Sequence, residues 1–515
     1  MSADVLVGQA YFLRFDPTLL AAAQPYAPLG ALYAAAVIRE RGYAVELFDA
    51  MLAESEAEWA AALDGHRPRI AVLYEDSFNY LSKMCLLRMR EAALTMTAAA
   101  RVRGVRVIVA GSDANDHPEI YLEGGADLVV LGEGDITIVE AIDALEGRSG
   151  RPTSSVAGLA MRGAAGVVRT APRAILRDLD SLPRPAWDLV DVGRYRAIWT
   201  ACHGYFSMNL ATTRGCPYHC NWCAKPIYGQ RYNARSPEQV VDEIAWLKAS
   251  YRPDHLWITD DIFGLKPGWV GRFAELVLER DAVVPFKCLM RADGVTEAVA
   301  LALRRAGCRT VWIGAESGSQ RILDAMEKGT RVDQIASATA TLHEVGIEVG
   351  FFLQFGYPGE TFDDIQQTLR MVRQCRPDDI GVSVSYPLPG TPFYDRVRTD
   401  LGEKRNWVDS GDLAMMYRGT FEPAFYRALH AQVHAEFKAR RAWHLVTGAR
   451  RWPRPGRTAR ELAVGAVHAL RGRMLARRVR ALRDQQPAGG ATRSVPIVAP
   501  LLSQQAASVP SEQPQ

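Results

Sequence analysis

Short apolar runs alternate with segments of helical periodicity through the first 150 residues, and this alternation constrains the fold more than any other feature of the sequence. The runs are near-continuous rather than alternately polar, which is typical of strands buried on both faces of a parallel sheet. They lie at Asp4–Ala10, Ala44–Ala50, Ile70–Asp76, Val105–Gly111 and Leu128–Gly134. Five such βα units predict an α/β fold with a doubly wound, Rossmann-like sheet, whose ligands bind beyond the carboxyl ends of the strands.

A second series of alternating segments follows between residues 206 and 400. Its six strand candidates are Met208–Thr213, His255–Asp260, Phe286–Met290, Thr310–Glu316, Glu348–Phe355 and Ile380–Tyr386. Each of the first five precedes a stretch of helical periodicity, so the repeating unit is again a strand followed by a helix. Six such units predict a partial, TIM-like (β/α)6 barrel, in which the reacting groups lie at the carboxyl ends of the strands.

These patterns predict five segments along the chain. They are a first domain at 1–150, a connector at 151–195, the barrel domain at 196–400, a helical C-terminal region at 401–447 and a basic, partly disordered tail at 448–515. From Arg450 onward the chain carries twelve Arg, no Lys and three acidic residues, so the tail has a charge of +9 and the remainder −6. Residues 459–483 predict a basic amphipathic helix, which either docks on a membrane surface or packs on the body of the protein.

Three of the eight cysteines cluster in Arg214-Gly215-Cys216-Pro217-Tyr218-His219-Cys220-Asn221-Trp222-Cys223, directly after the first predicted barrel strand. No signal-peptide pattern opens the sequence, so we expect a cytoplasmic protein, where clustered cysteines indicate metal or redox chemistry. The C-x3-C-x2-C spacing can place thiolates on three irons of a [4Fe-4S] cluster and leave the fourth iron open. The alternative is a zinc site with His219 as fourth ligand, although no other segment has zinc-finger spacing.

This motif, with Trp222 in an aromatic position of C-x3-C-x-aromatic-C, resembles the radical S-adenosylmethionine (SAM) superfamily over residues 206–400. The resemblance implies that Cys216, Cys220 and Cys223 hold the cluster and that SAM chelates the open iron. It also implies that reductive cleavage of SAM gives a 5′-deoxyadenosyl radical.

The same resemblance implies a SAM site at the ends of the barrel strands, with Trp222 beside the cluster. Asp260 stands where relatives often have a Gly-Gly-Glu-like segment near the SAM amino group, although this chain reads Thr259-Asp260-Asp261 there. Arg291 ends the third strand and could pair with the SAM carboxylate. Glu316 ends the fourth strand, where a polar residue can bond the ribose. An ordinary loop salt bridge is the alternative interpretation for each of these charged side chains.

A five-stranded doubly wound domain ahead of such a barrel resembles the cobalamin-binding domain of one radical SAM subfamily. The resemblance implies that the strand ends carry the cobalamin contacts, which we assign to Ser77, Gly111, Ser112, Gly132 and Gly134. The glycines would let the backbone approach the corrin or its nucleotide tail.

Many cobalamin domains carry Asp-x-His-x-x-Gly, whose His ligates cobalt, and this chain lacks that motif. Its Asp64-Gly65-His66 precedes the third strand and is not followed by the Gly, and His117 is expected to be a loop histidine. We therefore predict cobalamin bound without a His ligand.

The combined resemblance implies a cobalamin-dependent radical SAM enzyme with [4Fe-4S], SAM and cobalamin as cofactors. The expected reaction is methylation of an unactivated carbon of a small molecule or lipid-like metabolite, with a flavodoxin or ferredoxin as electron donor and no nucleic-acid partner. One alternative keeps both cofactors but performs an oxidative cyclisation or ring rearrangement. A second alternative, from a different class, is a non-catalytic cobalamin or iron-sulfur sensor, which would not cleave SAM.

Overall fold

The protein is described by a computed structural model over residues 3–75, 77–78, 84–223, 227–447 and 455–485. Over these residues the chain forms a seven-stranded sheet, a six-stranded parallel sheet, a small two-stranded ribbon and a C-terminal pair of long helices. The predicted linker at 448–457 and the predicted disorder at 485–515 lie almost entirely outside the described residues.

The N-terminal unit alternates strands and helices as the apolar pattern predicts. Its elements are β1 (Val5–Gly8), α1 (Pro17–Ala22), α2 (Leu29–Glu40), β2 (Val45–Phe48), α3 (Glu56–His66), β3 (Ile70–Tyr74), α4 (Leu87–Arg101), β4 (Arg106–Ala110), α5 (Ser112–Asp116), α6 (Pro118–Glu123), β5 (Leu128–Val130) and α7 (Asp135–Leu145). The five strands pair in parallel in the order β2-β1-β3-β4-β5. The order reverses between β1 and β3, which is the point where doubly wound sheets bind their ligands.

Two further strands extend this sheet beyond residue 150. They are β6 (Leu159–Gly163) and β7 (Gly166–Arg169), which pair antiparallel on the β5 edge. The sequence analysis placed these residues in a connector, because a short half-exposed hairpin carries too few apolar positions to be recognised as part of a buried sheet. The hairpin covers the β5 edge, which would otherwise present unpaired backbone groups.

The second unit begins with α8 (Val192–His203) and confirms the partial barrel. Its elements continue as β8 (Ser207–Leu210), β9 (Thr213–Arg214), β10 (Asn233–Ala234), α9 (Pro237–Tyr251), β11 (His255–Ile258), α10 (Trp269–Glu279), β12 (Phe286–Met290), α11 (Glu297–Ala306), β13 (Cys308–Glu316), α12 (Gln320–Ala325), α13 (Val332–Glu344), β14 (Glu348–Phe355), α14 (Phe362–Cys375), β15 (Asp379–Val384) and α15 (Pro392–Val397). The six parallel strands follow the order β8-β11-β12-β13-β14-β15, so all their carboxyl ends meet at one edge.

Side-chain caps fix where several barrel helices begin. Ser236, Thr296 and Thr361 each accept a hydrogen bond from a backbone N–H in the first turn of α9, α11 and α14. At α14 the carboxylate of Asp364 reaches back to the N–H of Thr361, which completes a capping box. Such caps satisfy donors that a helix cannot pair internally, so each strand-to-helix loop has a defined length and direction.

The C-terminal helices are α16 (Pro423–Thr447) and α17 (Pro455–Asp484), and the second confirms the predicted basic helix. Gly465 and Gly472 face α16 closely: a Cβ at these positions would lie 2.8 Å from Ala442 Cβ and 3.3 Å from Glu436 Cγ. The end of α17 also reaches the barrel, where the Arg483 guanidinium lies 4.6 Å from the Phe362 ring centroid. Within the described residues, no helix is both long and apolar enough to cross a membrane.

Candidate functional site

The three clustered cysteines lie on the loop between β9 and β10, at the carboxyl end of the barrel sheet. Cys216 and Cys220 are buried, Cys223 is half-buried, and none of them forms a disulfide. The loop can turn only because residue 215 is glycine, with φ of +78° and a Cβ position that would lie 2.2 Å from the Arg231 carbonyl oxygen. The antiparallel pairing of β9 with β10 closes the base of the loop, so the two ends of the cysteine loop are held side by side.

The described residues offer no buried fourth ligand for a single zinc ion beside the cysteine loop. His219, the candidate fourth zinc ligand, is exposed. Across the described residues, no group of three His, Cys, Asp or Glu side chains could hold one metal ion. In a cubane each thiolate binds a different iron, so three cluster ligands lie farther apart than the ligands of one tetrahedral ion. Two buried thiols and a half-buried third on one loop fit such a cluster.

Asn221, which the sequence analysis did not select, anchors the loop between the second and third cysteines. Its side-chain amide donates to the Ala325 carbonyl at 2.8 Å and to Glu327 Oε1 at 3.1 Å. The Tyr357 hydroxyl donates to its Oδ1 at 2.8 Å, and its backbone N–H donates to the Met326 carbonyl at 3.0 Å. These bonds fasten the cysteine loop to the ends of α12 and β14, so the loop conformation does not depend on the bound group alone.

Asp260 is buried at the end of β11 and holds the segment that enters the cysteine loop. Its Oδ1 accepts the backbone N–H groups of Thr212 at 2.7 Å and Thr213 at 3.0 Å, and its Oδ2 accepts the Thr212 hydroxyl. Burial raises the pKa of Asp260 to about 6, against the lowering effect of these hydrogen bonds. The structure therefore gives Asp260 a positioning contact, while its predicted contact with SAM stays a prediction.

Arg291 supports the same loop from the end of β12. Its guanidinium lies 3.6 Å from the ring centroid of Tyr218, which stands between the first two cysteines. Four of its five N–H groups are engaged, by Asp293 at 2.9 and 2.8 Å, the Lys328 carbonyl at 2.9 Å and Thr330 Oγ1 at 3.0 Å. The predicted pairing with a ligand carboxylate would have to use the fifth donor or displace one of these partners.

Glu316 ends β13 in a strained conformation beside a buried lysine. Its φ of +54° lies in the left-handed region that non-glycine residues rarely adopt. Lys328 Nζ lies 2.9 Å from Glu316 Oε1 and 5.9 Å from the Trp222 ring centroid. Burial alone would lower the pKa of Lys328, but the charges of Glu316 and Cys220 raise it above its ordinary value. Lys328 thus connects two predicted SAM residues, Glu316 at the end of β13 and Trp222 on the cysteine loop.

The predicted cobalamin residues lie at the carboxyl ends of β3, β4 and β5. Ser77 and Ser112 are buried. Gly111 has a φ of +149°, and a Cβ there would lie 2.5 Å from Glu75 Cβ. A Cβ at Gly134 would lie 2.7 Å from the Tyr74 ring, whereas one at Gly132 would meet nothing within 4 Å. The backbone at Gly132 is therefore open to a flat ligand, and its N–H is held by Asn115 Oδ1 at 2.9 Å.

Arg214 joins the two sites. It stands two residues before Cys216, is 4% exposed, and bonds across the interface to Glu133 in the loop after β5 and to Asp135 at the start of α7. Its Nη1 lies 2.6 Å from Glu133 Oε1 and 2.6 Å from Asp135 Oδ2, and its Nη2 lies 3.2 Å from Asp135 Oδ1. The guanidinium is also enclosed by three aromatic rings, those of Tyr33, Phe78 and Tyr228.

We call the ion pairs of Arg214 with Glu133 and Asp135 the clasp. Sequence analysis could not find the clasp, because Arg214 is about eighty residues from both carboxylates in the chain and no local pattern pairs them. Burial opposes the charge of Arg214, but Asp135 and Glu133 raise its pKa well above the ordinary value. Breaking such a buried pair is costly, so the loop after β5 and the cysteine loop are held together as one unit.

Comparison with known proteins identifies the barrel. Residues 210–372 match the model of the Radical SAM superfamily. An uncharacterized methyltransferase of Pyrococcus horikoshii is 28% identical over 308 residues, which are 59% of this chain and 65% of that protein. The anaerobic magnesium-protoporphyrin IX monomethyl ester cyclase of a Synechocystis strain is 24% identical over 378 residues, covering 71% of this chain and 72% of the cyclase. The chain spans between 45% and 72% of the length of these and two further curated relatives.

One solved structure shares the fold over nearly the whole chain. It is the cobalamin-dependent S-adenosylmethionine radical enzyme OxsB with aqua-cobalamin and S-adenosylmethionine bound. The two structures superpose with a TM-score of 0.72 over 92% of this chain and 72% of that one, at 17% identity. The order of the two sheets along the chain is therefore an arrangement already seen in a solved enzyme.

Proposed function

We propose that this chain, which belongs to the radical SAM superfamily, is a cobalamin-dependent enzyme that methylates an unactivated carbon of a small molecule or lipid-like metabolite. The observation that carries the proposal is the clasp of Arg214 with Glu133 and Asp135. It sets the strand ends of a doubly wound domain directly against a three-cysteine loop, as two cofactors acting on one substrate would require. Similarity to OxsB and to a methyltransferase of P. horikoshii supports it.

The residues at both sites fit the groups that this proposal needs. Cys216, Cys220 and Cys223 would hold three irons of a [4Fe-4S] cluster, and Glu316 and Trp222 would line the SAM site beside the open iron. Gly111, Gly132 and Gly134, with Ser77 and Ser112, would cradle cobalamin. When bound, the cluster with SAM would supply a hydrogen-abstracting radical, and cobalamin would supply the methyl group.

The protein's own side chains fix the position of the cysteine loop and bury the ion pairs beside it. Asp260 and Asn221 fix the entry and the middle of the cysteine loop, and Arg214 fixes its distance from the loop after β5. Three aromatic rings surround Arg214, and only 4% of this residue is exposed to solvent. A dry and rigid site strengthens electrostatic contacts and protects reactive species from solvent.

We further propose that cobalamin is bound without a histidine ligand. The described connections after β1, β3, β4 and β5 hold one histidine, His117 between α5 and α6, and His66 ends α3 ahead of β3; neither stands in an Asp-x-His-x-x-Gly motif. Electron paramagnetic resonance of the bound Co(II) should show no axial-nitrogen superhyperfine splitting. Splitting that disappears in His117→Ala or His66→Ala would contradict this.

Other partners belong to the same proposal. Electrons for the cluster would come from a flavodoxin or ferredoxin, and eight cysteines without a disulfide suit a reducing, cytoplasmic location. The exposed face of α17 carries apolar side chains flanked by arginines, and we propose that it contacts an anionic membrane surface. We propose no nucleic-acid partner, because the basic residues follow an apolar stripe rather than an aromatic groove.

A second reaction is favoured by one observation, the similarity to the magnesium-protoporphyrin cyclase over 71% of this chain. An oxidative cyclisation or ring rearrangement would use the same cofactors without transferring a methyl group. The two reactions differ in product mass, because methylation adds one CH2 whereas cyclisation removes hydrogens.

The test uses the full chain, reconstituted anaerobically with iron, sulfide and cobalamin, and SAM carrying a CD3 group. We expect 5′-deoxyadenosine from the wild type and none from the Cys216→Ala, Cys220→Ala, Cys223→Ala triple variant. With an extract of candidate metabolites, a product gaining CD3 in place of hydrogen supports methylation. A fully loaded wild type that does not cleave SAM would overturn the proposal and favour the sensor alternative.

A further inference from the structure

The barrel strands bury one side completely and leave the other side partly open. On β12 and β13 the side chains that face the helices, such as Cys288, Val311 and Ile313, are fully buried. Their neighbours on the concave side, such as Leu289 and Trp312, are half-exposed although they lie in the middle of the molecule. Large apolar side chains that remain exposed inside a concavity mark a binding site rather than a packed core.

Two stacked rings form the wall of this concavity. Trp312 of β13 and Phe352 of β14 have centroids 4.7 Å apart and planes inclined by 28°. Phe352 is 39% exposed, although it occupies the fifth position of an eight-residue strand within the sheet. Glycines make room for the stack, since a Cβ at Gly350 would lie 2.5 Å from the Trp312 ring and one at Gly381 would lie 3.1 Å from the Phe352 ring.

A lysine that forms no ion pair among the described residues lies on the same concave face. Lys287 of β12 contacts the rings of Trp257 at 4.9 Å and Tyr26 at 5.5 Å. Among the described residues, no carboxylate is within ion-pair distance of its ammonium; burial lowers its pKa to about 8, against the raising effect of the more distant Asp379 at the start of β15. A buried charge whose nearest carboxylate lies beyond ion-pair distance is incompletely compensated, so an anionic group of a ligand would stabilise it.

Strand register gives the spacing between the lysine and the rings. Lys287 pairs with Thr310 on the neighbouring strand, and Trp312 lies two residues farther along that strand. With adjacent strands about 4.8 Å apart and about 3.3 Å of rise per residue, the Cα atoms of Lys287 and Trp312 are roughly 8 Å apart. That distance is about the length of a fused two-ring system with one substituent.

We propose that the concave wall of the barrel binds the substrate, and that the substrate is a flat, mainly apolar ring system carrying a carboxylate that pairs with Lys287. This assignment rests on the proposed function. The flat part would stack on the exposed ring of Phe352, which itself stacks on Trp312. Phosphate esters fit less well, because they carry about −1.5 to −2 charge and the other nearby cations, Arg291 and Lys328, are already paired.

The neutral polar groups on this wall support the same chemical class. Gln354 Nε2 donates to Ser385 Oγ at 2.9 Å, so these two side chains satisfy each other. A sugar needs many hydrogen-bond partners at once, whereas a flat ring system needs apolar contact and one anchoring group. Lys287 beside the aromatic wall supplies that combination. Two exposed carboxylates share this side of the strands: Glu348 accepts a hydrogen bond from Thr310 Oγ1 at 3.2 Å, and Asp379 lies beyond ion-pair distance of Lys287.

The experiment measures binding to the cofactor-loaded full chain by isothermal titration calorimetry. Three probes of similar size separate the two features: 2-naphthoate, its neutral amide 2-naphthamide, and the saturated, non-planar decahydro-2-naphthoate. We expect the naphthoate to bind at least tenfold more tightly than either of the others. Lys287→Met should abolish the preference over the amide, and Phe352→Ala the preference over the saturated acid.

Controls keep the result interpretable. Lys287→Arg should retain the preference for the acid, and Lys438→Met, at an exposed position on α16, should change neither preference. Equal binding of naphthoate and naphthamide by a wild type that forms 5′-deoxyadenosine would overturn the substrate class and leave the proposed function standing. A tenfold preference in a protein that does not cleave SAM would support the acid site and count against the proposed function.

Discussion

One buried carboxylate, Asp260, controls the conformation of the segment that leads into the cysteine loop. It pairs two backbone N–H groups and a hydroxyl that have no other acceptor in the described contacts, and all three belong to Thr212 and Thr213. A buried donor left without a partner costs about 1–3 kcal/mol, so the consequence of losing this side chain is larger than the loss of one surface contact.

We expect Asp260→Ala to unfold more readily and to retain less iron after anaerobic reconstitution, because two buried N–H groups lose their acceptor. Asp260→Asn should retain both, since its amide oxygen can accept the two N–H groups while its NH2 donates to the Thr212 hydroxyl. Urea unfolding and iron analysis measure these effects. Equal iron content in Asp260→Ala and wild type would show that the loop does not depend on this contact.

Lys287 supplies a pH-dependent prediction at the same scale. Its pKa of about 8 lies below the ordinary value of 10.5, so the free protein loses this positive charge as pH rises through 8. Because an aromatic carboxylate stays ionised above about pH 5, we expect 2-naphthoate to bind about tenfold more weakly at pH 9 than at pH 7. Titration calorimetry at the two pH values measures this, and 2-naphthamide should show no such change.

The same lowered pKa has a consequence for stability without any ligand. A lysine whose pKa falls on folding destabilises the folded state while it is protonated. The free energy of unfolding should therefore rise as pH increases from 8 toward 10.5, and fall again as pH returns to 8. At pH 8 we expect Lys287→Met to have a higher unfolding free energy than wild type, and this difference should shrink as pH rises to 10. A difference that is constant over this range would place the ammonium in solvent.

Residues with a local signature could be predicted from sequence, and residues defined by distant partners could not. The cysteine triad has a fixed spacing on one loop that also carries Trp222, and its role as the set of cluster ligands stays a prediction. Arg214 and Asn221 lie within the same ten residues, but their partners are Glu133 and Tyr357, far away in the chain. Arg291 was predicted as a SAM contact for its position at a strand end, and that contact stays a prediction; no local pattern could show that four of its five donors have protein partners.

At the scale of elements, the loop after β5 and the cysteine loop act as one unit through Arg214. Removal of Arg214 alone would leave Glu133 and Asp135 charged, buried and unpaired, which typically costs 3–5 kcal/mol. Replacing all three charges by neutral side chains removes that penalty, because neither carboxylate remains to be desolvated.

We therefore expect Arg214→Met to lower the unfolding free energy by about 3–5 kcal/mol, and the triple variant Arg214→Met, Glu133→Gln, Asp135→Asn to recover most of that loss. Arg39→Met, which breaks an exposed pair with Asp188, is the matched control and should cost less than about 1 kcal/mol. In the triple variant we expect 5′-deoxyadenosine formation to continue while product formation falls, because the ion pairs no longer fix the cysteine loop relative to the loop after β5. A triple variant as unstable as Arg214→Met would contradict this account.

The apolar pattern of the sequence predicted some strands and helices and missed others. Strands buried on both faces, such as β3 and β4, produce continuous apolar runs that sequence analysis detects. The barrel strands are less continuous, and their alternation with segments of helical periodicity predicted them. The β6–β7 hairpin is half-exposed, and its pairing with β5 depends on a partner about thirty residues away. Helix α17 was expected from its pattern, but its close packing on α16 depends on Gly465 and Gly472, whose role only the helix pair reveals.

For the whole molecule, α17 presents an unusual surface opposite its contact with α16. Val467, Leu470 and Met474 follow one another at helical spacing and are 63%, 60% and 69% exposed. Exposed arginines flank this stripe at positions 471, 473, 477, 478 and 480. An apolar stripe between cations matches the interface of an anionic membrane, which supplies both a hydrocarbon boundary and negative headgroups.

We expect the full chain to float with vesicles of equal parts phosphatidylglycerol and phosphatidylcholine and not with phosphatidylcholine alone. Each arginine near the surface contributes about 1 kcal/mol, so Arg477→Gln with Arg478→Gln should weaken binding about thirtyfold, and added salt should weaken it further because exposed charges are screened beyond about 8–10 Å. Val467→Ser with Leu470→Ser should also reduce it, whereas Leu278→Ser, at a 51% exposed position on α10, should not. Point substitutions are preferable to truncation, because α17 packs on α16 and reaches Phe362 of the barrel. Equal flotation of the arginine variant and the wild type would exclude electrostatic membrane contact through this helix.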